Sequence, residues 1–148
     1  MGVSAVIVGD IIYACGGSVC KKYDIGSNQW QSIKSIPNVA DHPRIITLNE
    51  LVYSIGGRDS SIEALSSVYV YHPSTDTWTS LQSMPGGRIF HTLTVDDGKI
   101  YVMGGLNGKS YTAITNGVLI YDPETDSWTE GPSLPSPRRS HFAVTCQI

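Results

Sequence analysis

The side chains in this chain that could do chemistry are few, and those that recur in register are arginines. Arg88, Arg138 and Arg139 follow apolar-Pro steps, in Met84-Pro85-Gly86-Gly87-Arg88 and Leu134-Pro135-Ser136-Pro137-Arg138-Arg139, while Arg58 and Lys109 follow glycine pairs. A guanidinium is a planar fork of donors that matches a carboxylate or a phosphate, so several forks around one opening would attract an acidic or phosphorylated segment. His91 and His141 share one register, which suits either a ligand contact or a structural role beside a strand. The four histidines are scattered, no pair of His with Tyr and Cys has copper-site spacing, and no nucleophile motif occurs. No catalytic residue, metal site or cofactor is therefore expected. Cys15, Cys20 and Cys146 form an odd set without zinc-ligand spacing, which points to reduced thiols in an intracellular protein.

The elements that must position these residues are written as a repeat. Tyr-x-x-Gly-Gly occurs at Tyr13/Gly16/Gly17, Tyr53/Gly56/Gly57 and Tyr101/Gly104/Gly105. Each copy is followed by a Tyr and, seven residues on, a Trp: Tyr23 and Trp30, Tyr71 and Trp78, Tyr121 and Trp128. The glycine pairs are 40 and 48 residues apart and the tryptophans 48 and 50. A signature at this period marks an array of small sheets. Segments such as Ile100-Tyr101-Val102-Met103 and Leu51-Val52-Tyr53-Ser54-Ile55 are apolar on both faces, so each sheet is expected to be sandwiched between neighbours. The three Trp, the Tyr pairs and the Gly pairs are read as core, because repetition in register is what a packing rule produces.

These motifs together resemble kelch repeats, over nearly the whole chain. The resemblance implies an all-β fold, a segment of a kelch-type β-propeller made of three four-stranded antiparallel blades and one extra strand. The blades are placed at residues 3–37, 44–85 and 89–135, with the opening strand of a further blade at 140–148. Propellers close with four to eight blades, so three leave apolar faces bare. Either the chain is a piece of a longer kelch protein or it completes its ring by self-association.

In kelch adaptors of the BTB type, residues after the apolar-Pro step and after the glycine pair line a ligand-binding mouth. Transferred to this chain, those positions are Arg58, Ser60, Arg88, His91, Asn107, Lys109, Tyr111, Arg138, Arg139 and Ser140. The implied function is a protein-interaction module that binds an acidic or phosphorylated peptide, as substrate-recognition part of a cullin-type ubiquitin ligase. Actin or cytoskeletal binding is the alternative within the family, and a kelch-fold enzyme such as a sugar isomerase or an oxidase is the alternative outside binding.

Charge follows the same division. Sorting loops by the strand meander puts Lys34, Arg44, Arg58, Arg88, Lys109, Arg138 and Arg139 on the mouth face, against Asp41, Asp59, Glu63 and Glu130. The opposite face collects mostly Asp, a turn former in its own right. The net charge of −3 over 148 residues gives no reason to expect nucleic acid as partner. No apolar run has the length of a membrane span, and a cytoplasmic location is expected.

Overall fold

Each repeated unit folds as one four-stranded antiparallel meander. The computed structural model describes residues 2–107 and 113–144. Blade one comprises β1 (Val3–Val8), β2 (Ile11–Gly16), β3 (Val19–Asp24) and β4 (Gln29–Ile33). Blade two comprises β5 (Arg44–Leu48), β6 (Leu51–Ile55), β7 (Val68–His72) and β8 (Thr77–Leu81). The short β9 (Arg88–Ile89) leads into β10 (Thr92–Asp96) and β11 (Lys99–Met103), then come the short β12 (Leu106–Asn107) and β13 (Ala113–Ile114), and β14 (Val118–Asp122) and β15 (Ser127–Gly131) complete blade three. The strands are rich in β-branched and aromatic residues. Tight turns such as Asp97-Gly98, with φ of 46° and 69°, suit the right-handed twist of the hairpins they join.

The three sheets have the orders β1-β2-β3-β4, β5-β6-β7-β8 and β10-β11-β14-β15. The inner strand β5 packs against both β1 and β10, which sets the blades side by side. Between blades one and two, Tyr13, Cys15, Ile36, Ile45, Val52 and Tyr71 form one buried cluster; between two and three, Tyr53, Ile55, Val70, Ile100, Val102 and Tyr121 form a second. This is the open propeller arc that the repeat implies. A fourth small sheet, β13-β12-β9, was not expected and lies on the loop side. Residues 141–144 form no strand, and the rest of the expected opening strand lies outside the described residues.

A repeated polar clamp joins the blades. Trp78 donates its indole N–H to the Lys34 carbonyl at 2.9 Å, while Asp76 Oδ1 accepts the Lys34 N–H at 2.9 Å and the Tyr71 hydroxyl at 2.8 Å. Trp128, Asp126 and Tyr121 hold Gln82 in the same way, at 2.9, 2.8 and 2.6 Å. Asp76 and Asp126 have φ of 50° and 48°. An Asx residue therefore serves twice here, tolerating a left-handed turn and presenting an acceptor to the next blade. This geometry also corrects the sorting of charges: the end of β4 lands beside the β7–β8 turn, so Lys34 sits next to Asp76 and not with the mouth loops.

Blade one has the same turn, with Asn28 accepting from the Tyr23 hydroxyl, but no blade beyond it among the described residues. Trp30 is consequently 55% exposed and Val3 68%, so the expectation that all three tryptophans are core holds for Trp78 and Trp128 only.

The expectation of reduced thiols is overturned for two of the cysteines. Cys15 and Cys20 are directly opposed across the β2–β3 hairpin, with Cα atoms 4.2 Å apart, and form a disulfide. Their spacing in sequence conceals this, because opposition depends on the register set by the two-residue turn. Cysteine usage therefore no longer argues for a reducing compartment. No helix is long and apolar enough to cross a membrane among the described residues.

Two outcomes follow from these contacts. Trp78→Ala or Trp128→Ala should destabilise the chain by about 2 kcal/mol or more in urea unfolding, through lost packing and orphaned carbonyls, whereas Trp30→Ala should cost well under ~1 kcal/mol. Thiol titration of the denatured, unreduced chain should find one reactive cysteine among the three in the sequence.

Candidate partner-binding face

The mouth residues are positioned by the short segments that lead into each blade. Residues 40–41 and 88–89 enter blades two and three, and each pairs with the start of that blade's long loop: Asp41 with Arg58, and β9 with β12. Each entry segment then turns through one left-handed residue, His42 and Phe90 with φ of 50° and 55°, and Ser140 repeats this at 52°. The His42 and Phe90 rings meet edge to face at 4.5 Å, and the Ser140 N–H donates to the Phe90 carbonyl at 2.9 Å. His42 and Phe90 were missed in the sequence reading. Their spacing from Ser140, equal to that of the tryptophans, was the signal available.

Beneath this ring the histidines pack against glycines. A Cβ on Gly56 would lie 2.5 Å from the Arg88 carbonyl oxygen and 2.9 Å from His91 Cε1; on Gly104 it would lie 2.6 Å from the Arg138 carbonyl and 2.8 Å from His141 Cε1. In blades two and three the first glycine of the pair is thus the seat of the next entry segment's backbone and imidazole, with φ near +60° in both. His91 is completely buried, and neither ring nitrogen makes a well-formed hydrogen bond. Burial, reinforced by Arg44 and Arg88 and opposed only in part by the Ile55 carbonyl, pushes its pKa down to about 3. His91 is a neutral wedge between blades, with no surface offered to a ligand.

Arg88 is also built in. It is 7% exposed, and its Nη1 donates to the carbonyls of Gly104 at 3.2 Å and Gly117 at 2.8 Å. The guanidinium holds both ends of the blade-three loop, which makes it a positioning residue. Arg58 is half-exposed and paired with the buried Asp41 at 2.7 Å. Although burial alone would raise the Asp41 pKa, the N–H groups of Gly2 and His42 and the Arg58 guanidinium hold the carboxyl well below the usual range. Ser60 is exposed on the same loop. Asn107, Arg138, Arg139 and Ser140 are exposed at the blade-three end, where Arg138 bonds Ser136 of its own loop through Nη2 at 2.9 Å and its backbone N–H donates to Thr115. Lys109 and Tyr111 lie outside the described residues. The sequence-selected residues therefore form two exposed corners, Arg58 with Ser60 and Asn107 with Arg138–Ser140, separated by the buried pair Arg88 and His91. Among the described residues no group of three His, Cys, Asp or Glu side chains could hold a metal.

Side-by-side four-stranded blades with a diglycine at each second-strand end define a kelch-type propeller. The chain belongs to the Kelch repeat family: residues 2–148 match the family model described as KLHDC2/KLHL20/DRC7 Kelch-repeats domain. Beta-scruin of Limulus polyphemus is 36% identical over 81 residues, covering 55% of this chain and 9% of that protein. Kelch-like protein terF of Aspergillus terreus is 33% identical over 135 residues, covering 76% of this chain and 28% of that protein. Kelch-like protein 41b of Danio rerio is 33% identical over 93 residues, covering 63% and 15%. The chain thus spans less than a third of the length of these relatives. The solved structure of YjhT matches with a TM-score of 0.78 at 22% identity, covering 90% of this chain and 51% of that one; at that identity the likeness concerns the fold. Kinship with Kelch-like proteins and scruins supports a protein-interaction module.

The buried imidazole makes stability depend on pH. Because the folded-state pKa of about 3 lies below the unfolded value near 6.5, the unfolded chain takes up this proton first as pH falls. The contribution of His91 is complete above pH ~6.5 and is lost on acidification at about 1.4 kcal/mol per pH unit. His91→Gln should remove that slope between pH 6 and 4 in denaturant titrations, while carboxylate contributions stay common to both proteins.

Proposed function

We propose that the chain is a protein-interaction module that engages a partner's acidic or phosphorylated segment at the loop face, chiefly at the corner formed by Asn107, Arg138, Arg139 and Ser140. The observation that carries this reading is the fate of the mouth cations. Arg58 is paired with Asp41 and Arg88 with backbone carbonyls, whereas Arg138 and Arg139 are exposed and adjacent, and among the described residues the Arg138 side chain hydrogen-bonds Ser136 of its own loop. Two neighbouring guanidinium forks at an exposed rim suit carboxylates or a phosphate and steer association electrostatically. Substrate recognition within a cullin-type ubiquitin ligase is the finer role in keeping with the Kelch-like relatives, and it rests on kinship alone.

The test is anisotropy of a labelled decapeptide of alternating Glu and phosphoserine. Arg138→Glu with Arg139→Glu should weaken binding at least tenfold and flatten its salt dependence, with the melting temperature unchanged. Binding indifferent to both reversals would refute the assignment. Arg88→Glu should instead unfold the chain, because it buries a carboxylate against two carbonyl oxygens.

A further inference from the structure

In blades two and three, residues 56–67 and 104–117 connect the second and third strands, whereas in blade one β2 passes to β3 through Gly17 and Ser18 alone. The long connections fold back onto their own diglycines: the Leu65 N–H donates to the Gly57 carbonyl at 2.8 Å and the Thr115 N–H to the Gly105 carbonyl at 3.0 Å. Among the described residues no backbone N–H outside the strands reaches the Gly17 carbonyl. Blade two's loop also covers the segment entering the next blade, the Leu65 carbonyl accepting the Arg88 N–H at 3.0 Å. Blade one has no loop to do this for residues 38–41.

The omission leaves a cleft of about 550 Å³ between blades one and two. The Asp41–Arg58 pair forms part of its lining, and Val19 and Ile62, 53% and 49% exposed, stand on its two walls. Ile62 is presented deliberately by the backbone: its φ is 66°, a left-handed conformation that β-branched residues rarely adopt. Asp59 enforces it, its Oδ1 accepting the N–H groups of Ser61 and Glu63 at 2.9 Å each and its carbonyl accepting the Ile62 N–H at 3.2 Å. A hydrogen-bonded loop holding an exposed branched apolar side chain over a cleft is the arrangement of a recognition element.

We propose that this cleft docks an extended segment of a partner protein in the place of the missing loop. One backbone N–H of the segment donates to the Gly17 carbonyl, and one apolar side chain sits between Val19 and Ile62, flanked by small neutral residues. Charge distinguishes it from the Arg138–Arg139 corner, since Arg58 is paired with Asp41 and the lining also carries Asp59, which leaves no excess positive charge to favour an acidic segment. The chain supplies its own template, because residues 58–67 occupy the matching space in blade two. The proposal rests on the interaction-module reading but not on its acidic preference.

The probe is a fluorescein-labelled synthetic peptide with the sequence of residues 58–67, titrated against the 148-residue chain by anisotropy, with circular dichroism melts confirming folded variants. Saturable binding is expected, weakened at least tenfold by Val19→Ser, by Ile62→Ser and by a peptide whose Ile and Leu are replaced by Ser. It should be abolished in a chain carrying residues 58–64 inserted between Gly17 and Ser18, and unchanged by Arg138→Glu with Arg139→Glu. Absence of binding, or binding that survives both serine variants or the insertion, overturns the proposal. Failure of the unmutated chain to capture the acidic peptide, while it binds this one, would sink the acidic reading alone.

Discussion

No blade of this protein can bury its own faces, and everything else in the structure answers to that constraint. A four-stranded sheet that is apolar on both sides must be sandwiched. The clamp made by Tyr71, Asp76 and Trp78 on the Lys34 backbone, repeated by Tyr121, Asp126 and Trp128 on Gln82, is how the sandwich is registered. It satisfies the backbone groups at the end of one blade with side chains of the next, so packing and polar satisfaction are achieved by the same residues. Where no neighbouring blade lies among the described residues, as at Trp30, the same side chain is exposed.

The loop face is organised by the second half of the repeat. Gly56 and Gly104 receive the carbonyl and imidazole of the following entry segments, and the segments entering blades two and three anchor those blades' loops. Arg88 extends the principle by tying the two ends of the blade-three loop to one guanidinium. Cations that look alike in sequence therefore divide by burial: a desolvated arginine must be matched by acceptors and becomes architecture, while a rim arginine stays available to a partner. Irregularity adds a third kind of position. The short turn of blade one removes a loop without removing its surroundings, which turns a packing site into a cleft.

The fold was legible because its causes are periodic. Diglycine, Tyr and Trp recur in three units, and only a repeated sheet accounts for all of them. The place of Asn107, Arg138, Arg139 and Ser140 on the loop side follows from motif position, while their exposure is seen only in the structure. The structural roles of Arg88 and His91 were not legible, because motif position says where a residue begins and not which way its side chain is drawn. Nor was the disulfide, which depends on a hairpin register that one residue of slippage would destroy.

Taken alone, the order of residues determined the three four-stranded blades, the turn chemistry between them and the openness of the arc, because each of these depends on neighbours within some fifty residues of chain; it did not determine the small β13-β12-β9 sheet. Tertiary structure alone decided which arginines are buried, that Cys15 meets Cys20, that Asp76 and Asp126 bridge blades, and that a cleft opens beside Ile62. Those facts arise where segments from different blades converge, and a side chain's burial and partners there are set by what stands opposite it in space.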